Sequence, residues 1–122
     1  MNVLVVDDDQ AVADVLAGML EDLGCEVETR FSVRDALQYM DSSPLPELVL
    51  SDIRMPGGQT GIDLARVVKE RYPGLRLVLM TGYADQGLDG VDCTLLPKPI
   101  GQSVLADLLQ TIQAGAGPAG SS

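Results

Sequence analysis

Three aspartates in succession, Asp7-Asp8-Asp9, follow directly on the aliphatic run Val3 to Val6. Adjacent carboxylates repel one another: two unit charges ~5 Å apart at an effective dielectric of ~20 cost on the order of 3 kcal/mol. A divalent cation offsets that cost economically, so Asp7 and Asp8 read as metal ligands. Asp9 reads as the N-cap of the helix that follows, where its side chain meets free backbone N–H groups and its charge suits the helix dipole. Other chemically loaded groups stand where further apolar runs end: Ser51-Asp52 after Leu48 to Leu50, Thr81-Gly82 after Leu75 to Met80, and Pro97-Lys98-Pro99 after Cys93 to Leu96. Lys98 lies between two prolines that stiffen its loop, which sets it apart from an ordinary solvated lysine.

These groups meet only if the chain brings the ends of its apolar runs to one edge, and its periodicity predicts such a fold. After the first run, Val12, Val15, Leu16, Met19, Leu20 and Leu23 recur at helical spacing, closed by Gly24. Val27 to Phe31 reads as a second strand, its charged alternation suggesting an edge. Val33, Ala36, Leu37 and Met40 give a second helix, and Ile62, Ala65, Val68 and Tyr72 a third, stopped by Pro73-Gly74. A last helix carries Val104, Leu105, Leu108, Leu109 and Ile112 on one side. Five strands separated by helices predict the α/β class, with a parallel sheet covered on both faces. In such sheets, ligands bind beyond the carboxyl ends of the strands.

Composition narrows the function. The chain has 122 residues, the size of one domain, and its apolar fraction of 46% suits a packed core. No apolar run approaches the ~20 residues needed to cross a bilayer, and nothing resembles an export signal, so a cytoplasmic location without membrane contact is expected. A net charge of −10 with no histidine argues against direct binding to nucleic acid. Cys25 and Cys93 lack metal-ligand or CxxC spacing and read as reduced thiols.

The segments VLVVDDD, VLSDIRMPG, LVLMTGYA and LLPKPI, in this order and spacing, resemble the motifs of the response-regulator receiver family of bacterial two-component systems. The similarity runs from about Asn2 to Gln113. It implies a flavodoxin-like doubly wound sheet of strand order 2-1-3-4-5, a receiver domain over residues 1–114 and a flexible tail over 115–122. It also implies that Asp52 is the phosphoacceptor, a carboxylate nucleophile that takes a phosphoryl group from a phosphohistidine on a histidine kinase or histidine phosphotransfer protein. Mg²⁺ would be held by Asp8, Asp52 and the backbone carbonyl of Arg54, with Asp7 assisting through water; all-oxygen ligands suit that hard cation. Lys98 would direct its ammonium toward the phosphoryl group and Thr81 its hydroxyl, while the Lys98-Pro99 peptide would be cis. Such a domain is a regulatory phosphoacceptor rather than an enzyme, catalysing only its own phosphorylation and dephosphorylation.

Some positions depart from the family pattern. Leu95 stands where many receivers carry a switching Tyr or Phe, and Ile100 where Phe is common. Gly82 and Tyr83 follow Thr81 as access residues; Arg54 and Tyr83 would flank the path of an attacking water and prolong the phosphorylated state. Only 16 residues separate Thr81 from Lys98, so the fourth helix of the family is expected to be short or irregular. Those features resemble receivers of hybrid sensor kinases, and a monomeric relay follows, either free-standing or cut from a longer kinase. Two alternatives compete with that reading. A haloacid-dehalogenase-like phosphatase also forms an aspartyl phosphate, but Ala11 spoils its signature and Asp52 would have no role. A pseudo-receiver acting only as an interaction module would normally have lost the acceptor, an acid or the lysine, and all are present. A flavodoxin-like redox protein is disfavoured by the few aromatics and the anionic loop after the first strand.

Overall fold

The computed structural model describes residues 1–42, 44–55, 59–82 and 94–115. Along them run β1 (Asn2–Val6), α1 (Gln10–Asp22), β2 (Glu26–Arg30), α2 (Val33–Ser42), β3 (Leu48–Asp52), α3 (Gly61–Arg71), β4 (Arg76–Thr81), β5 (Thr94–Pro97) and α4 (Gln102–Gly115). The strands pair in parallel in the order β2-β1-β3-β4-β5, as the family resemblance implied. β1, β3 and β4 are almost wholly buried, which is why they are written in unbroken aliphatic residues; β2 and β5, at the edges, are partly exposed.

The sheet separates two apolar layers. Val3, Val5, Leu48, Leu50, Val78 and Met80 point to one side, where Leu16, Leu20, Leu105 and Leu109 of α1 and α4 cover them. Leu4, Val6, Val49, Leu77 and Leu79 point to the other, against Ala36 and Met40 of α2 and Leu64 and Val68 of α3. Cys25 is buried in the first layer, and that burial pushes its thiol up from the ordinary range. The register aligns Val6 with Ser51, Asp52 with Met80 and Thr81 with Pro97, so the carboxyl ends of four strands share one edge.

Local signals set the helix ends. Asp9 caps α1, accepting from the N–H groups of Ala11 and Val12. Gly24 takes the left-handed conformation at φ 93° that ends the same helix, which a side chain would resist. At α3, Thr60 and Asp63 form a reciprocal capping box.

Helix faces differ in detail from the periodic reading. In α1 the buried residues are Ala13, Leu16 and Leu20, whereas Val12 and Val15 are 37% and 61% exposed. The apolar stripe is wider than the contact with the sheet: Val15 sits about 100° from Leu16 around the axis and cannot reach it. In α3 the inward line runs through Gly61, Leu64 and Val68, with Ile62 and Ala65 at its margin. In α4 Val104 faces outward beside buried Leu105. That helix continues to Gly115, the first residue assigned to the tail; residues 116–122, Cys93, Tyr83 and the expected short fourth helix lie outside the described residues.

Candidate functional site

At the carboxyl edge of the sheet, Asp7 follows β1 and is 1% exposed. Its Oδ1 accepts from the Asp9 N–H at 2.9 Å, while Oδ2 is buried with no hydrogen-bond partner. Burial raises the Asp7 carboxyl above its usual value; the Asp9 hydrogen bond and Lys98 oppose that rise, and the charges of Asp52 and Asp8 add to it. Asp8 is exposed beside it, and Asp52, the last residue of β3, is 8% exposed. Asp7, Asp8 and Asp52 each offer a carboxylate oxygen, all within 4.8 Å of one another. A buried carboxylate oxygen without a donor, facing two further acids, is the arrangement a hard divalent cation satisfies. The donor set therefore fits the metal implied by the sequence.

Lys98 supplies the cation that the protein itself provides. Its Nζ donates to Asp52 Oδ1 at 2.9 Å, and the Ile53 N–H donates to the same oxygen at 2.9 Å. The lysine's backbone N–H donates to the Thr81 carbonyl at 2.7 Å, tying its loop to the end of β4; the Lys98-Pro99 peptide is cis, as expected. Thr81 directs its hydroxyl to the Leu96 carbonyl at 3.4 Å, a long bond that is cheap to exchange for another acceptor. Gly82 is next in the chain and half-buried.

The edge thus assembles Asp7, Asp8, Asp52, Thr81 and Lys98 from four separate strand ends. Arg54 is exposed on the segment after β3, and Leu95 is 38% exposed on β5, level with Ser51 but separated from it by β4. A family model described as the response regulator receiver domain matches residues 3–110. The chain belongs to the response regulator receiver domain family. Its matched relatives include the DNA-binding transcriptional regulator NtrC of Proteus hauseri, 37% identical over 84 residues, which are 69% of this chain and 17% of that protein. The photosynthetic apparatus regulatory protein RegA of Cereibacter sphaeroides is 35% identical over 82 residues, 67% of this chain and 44% of that one. The receiver therefore spans only a fraction of the length of the curated relatives it matches. Among solved structures, a response regulator receiver domain protein of Clostridium thermocellum superposes with a TM-score of 0.81 at 25% identity, covering 94% of this chain and 96% of that one. The receiver domain of NtrX from Brucella abortus gives 0.78 at 28% identity, covering 88% and 94%.

The receiver is accordingly a phosphoacceptor signalling module of bacterial two-component systems, and the phosphatase alternative falls away. None of its described helices is long and apolar enough to cross a membrane. The contacts that two neighbours make with the Asp52 main chain escape a sequence reading. Ser51 is fully buried, its hydroxyl donating to the Asp52 carbonyl at 2.9 Å. Gly61, at the start of α3, lies against that same carbonyl. The Pro-Gly-Gly run nearby is a visible loop signal, but nothing in the periodicity singles out Gly61. Beside the site, Val12, Val15, Met19, Pro99 and Ile100 line an open hollow of about 720 Å³, which explains where the outward apolar residues of α1 face.

Proposed function

We propose that Asp52 receives the phosphoryl group and that this receiver works with Mg²⁺ and a phosphohistidine-bearing partner, a histidine kinase or a histidine phosphotransfer protein. An oxygen of the Asp52 carboxylate attacks phosphorus; the new P–O bond forms as the P–N bond breaks, and the imidazole nitrogen keeps the electron pair. The observation that carries this reading is the 2.9 Å contact of Lys98 Nζ with Asp52 Oδ1 beside the clustered acids. Lys98 turns its ammonium from the carboxylate toward the incoming phosphoryl oxygens, because transfer adds negative charge there. Asp8, Asp52 and the Arg54 carbonyl would hold Mg²⁺, with Asp7 assisting. When bound, the cation neutralises charge on the phosphoryl oxygens and the attacking carboxylate. Thr81 releases Leu96 and donates to the phosphoryl group afterward. The domain performs no turnover beyond its own phosphorylation and dephosphorylation, and it works in the cytoplasm without contacting nucleic acid or membrane. The signalling body runs through the end of α4 at Gly115.

Incubation with acetyl phosphate or phosphoramidate tests this. One phosphoryl group should be added in Mg²⁺ and none in excess EDTA, read as intact mass. Labelling indifferent to EDTA, or steady turnover of p-nitrophenyl phosphate, would overturn the proposal.

Leu95 carries no ring to turn into space left by Thr81, so the signal stays near the acceptor and the receiver remains a monomer. Partner contact then falls to α1 and the loops around the site, where Val12 and Val15 stand exposed. Sedimentation with and without beryllofluoride should give the monomer mass in both cases at micromolar concentration. A beryllofluoride-dependent dimer, burying the ~1,200 Å² or more typical of stable interfaces, would contradict this and favour a conventional output role.

A further inference from the structure

The end of β3 is pinned by its own neighbours. The Asp52 carbonyl accepts from Ser51 Oγ at 2.9 Å, and the next carbonyl, that of Ile53, accepts from the Gly61 N–H at 2.8 Å. Gly61 is buried and opens α3. A Cβ at this position would overlap the Asp52 carbonyl oxygen, lie 3.1 Å from the Asp52 carbonyl carbon and 3.0 Å from Leu79 Cδ2. Among the described glycines only Gly24 has a positive φ, so the backbone at Gly61 does not require glycine; the space does. Glycine also costs up to ~1 kcal/mol of helix propensity relative to alanine. The start of α3 has little freedom to retreat, because Leu64 and Val68 of the same helix are buried in the core beneath the sheet and the Gly61 N–H holds the Ile53 carbonyl.

We infer that Gly61 is a positioning residue for phosphoryl transfer: its missing side chain lets α3 close onto the Asp52-Ile53 main chain and aims the Asp52 carboxylate at Lys98 and the acids that follow β1. The inference rests on the reading of Asp52 as acceptor and adds to it a residue that touches neither phosphoryl group nor metal. A methyl group at Gly61 displaces the Asp52 main chain, and a misplacement of roughly 1 Å costs on the order of 100-fold in rate.

The test compares Gly61→Ala with Leu64→Val, which trims a fully buried side chain of the same helix. Labelling by phosphoramidate at saturating Mg²⁺ is measured well below each melting temperature. Gly61→Ala should fold yet label on the order of 100-fold more slowly, whereas Leu64→Val should melt earlier and label within about threefold of wild type. Labelling of Gly61→Ala at the wild-type rate would overturn the inference. So would equal slowing of both variants, or failure of Gly61→Ala to fold, since the glycine would then serve the fold and not the transfer. Absence of label in the wild-type protein would overturn the assignment of Asp52 itself and this inference with it; label that Gly61→Ala retains defeats only the inference.

Discussion

Asp52→Asn should take up no phosphoryl group from phosphoramidate or acetyl phosphate in Mg²⁺, a fall of at least about 10³-fold, the scale expected when a nucleophile is removed. The substitution is close to isosteric. An Asn carbonyl oxygen in the place of Oδ1 still accepts from the Ile53 N–H and from Lys98 Nζ, both at 2.9 Å in the native protein. It also takes one negative charge out of a cluster whose oxygens lie within 4.8 Å of one another. The variant should therefore fold and melt within a few degrees of wild type, leaving loss of label to report on chemistry. Intact mass gives the yield, and peptide mapping of the wild-type adduct gives its place. A second acceptor labelled to the same yield in Asp52→Asn would sink the assignment.

The residues around Asp52 were legible in the sequence to different degrees, for physical reasons. Asp7, Asp8, Asp52, Thr81 and Lys98 could be read because each ends an aliphatic run, and a parallel sheet gathers run ends at one edge. The metal reading of Asp7 and Asp8 came from their crowded charges; the roles of Asp52, Thr81 and Lys98 came from family resemblance, since nothing in strand periodicity says which carboxylate attacks. Asp9 could be read as a cap because capping depends only on residues two and three positions away. The contact of Gly61 with the Asp52 carbonyl could not, because it depends on how α3 packs against the end of β3, and the Ser51 hydroxyl bond to the same carbonyl depends on a side-chain rotamer that periodicity does not report. Val12 and Val15 misled for a related reason. A helical period identifies apolar residues but not which of two adjacent apolar stripes meets the sheet, and in α1 the small Ala13 goes inward while Val15 goes out.

The three consecutive aspartates should separate cleanly in their response to Mg²⁺. Asp7 Oδ2 is buried with no partner, and two other carboxylates face it. Leaving a buried polar group unsatisfied costs ~1–3 kcal/mol, more when it is charged. Without metal, Asp7→Asn should therefore melt higher than wild type, because the amide removes one charge and its NH₂ can donate to a neighbouring carboxylate. A gain of about 1 kcal/mol corresponds to roughly 3–6 °C for a domain of this size. Mg²⁺ reverses the order. By mass action, free cation at 100 times its dissociation constant adds ~2.7 kcal/mol to wild type, more than the relief that Asp7→Asn enjoyed. On the proposed site Asp8→Asn removes a direct ligand, and it should respond little at the same concentration. Asp9→Asn should respond as wild type does, because Asp9 spends its side chain on the N–H groups of Ala11 and Val12 and asparagine caps a helix equally well. Thermal melts of the four proteins over a Mg²⁺ titration make the comparison. Equal losses of response in Asp8→Asn and Asp9→Asn would mean that the cation sits elsewhere; a metal-free Asp7→Asn that melts below wild type would mean that the buried acid already has its counter-charge in Lys98.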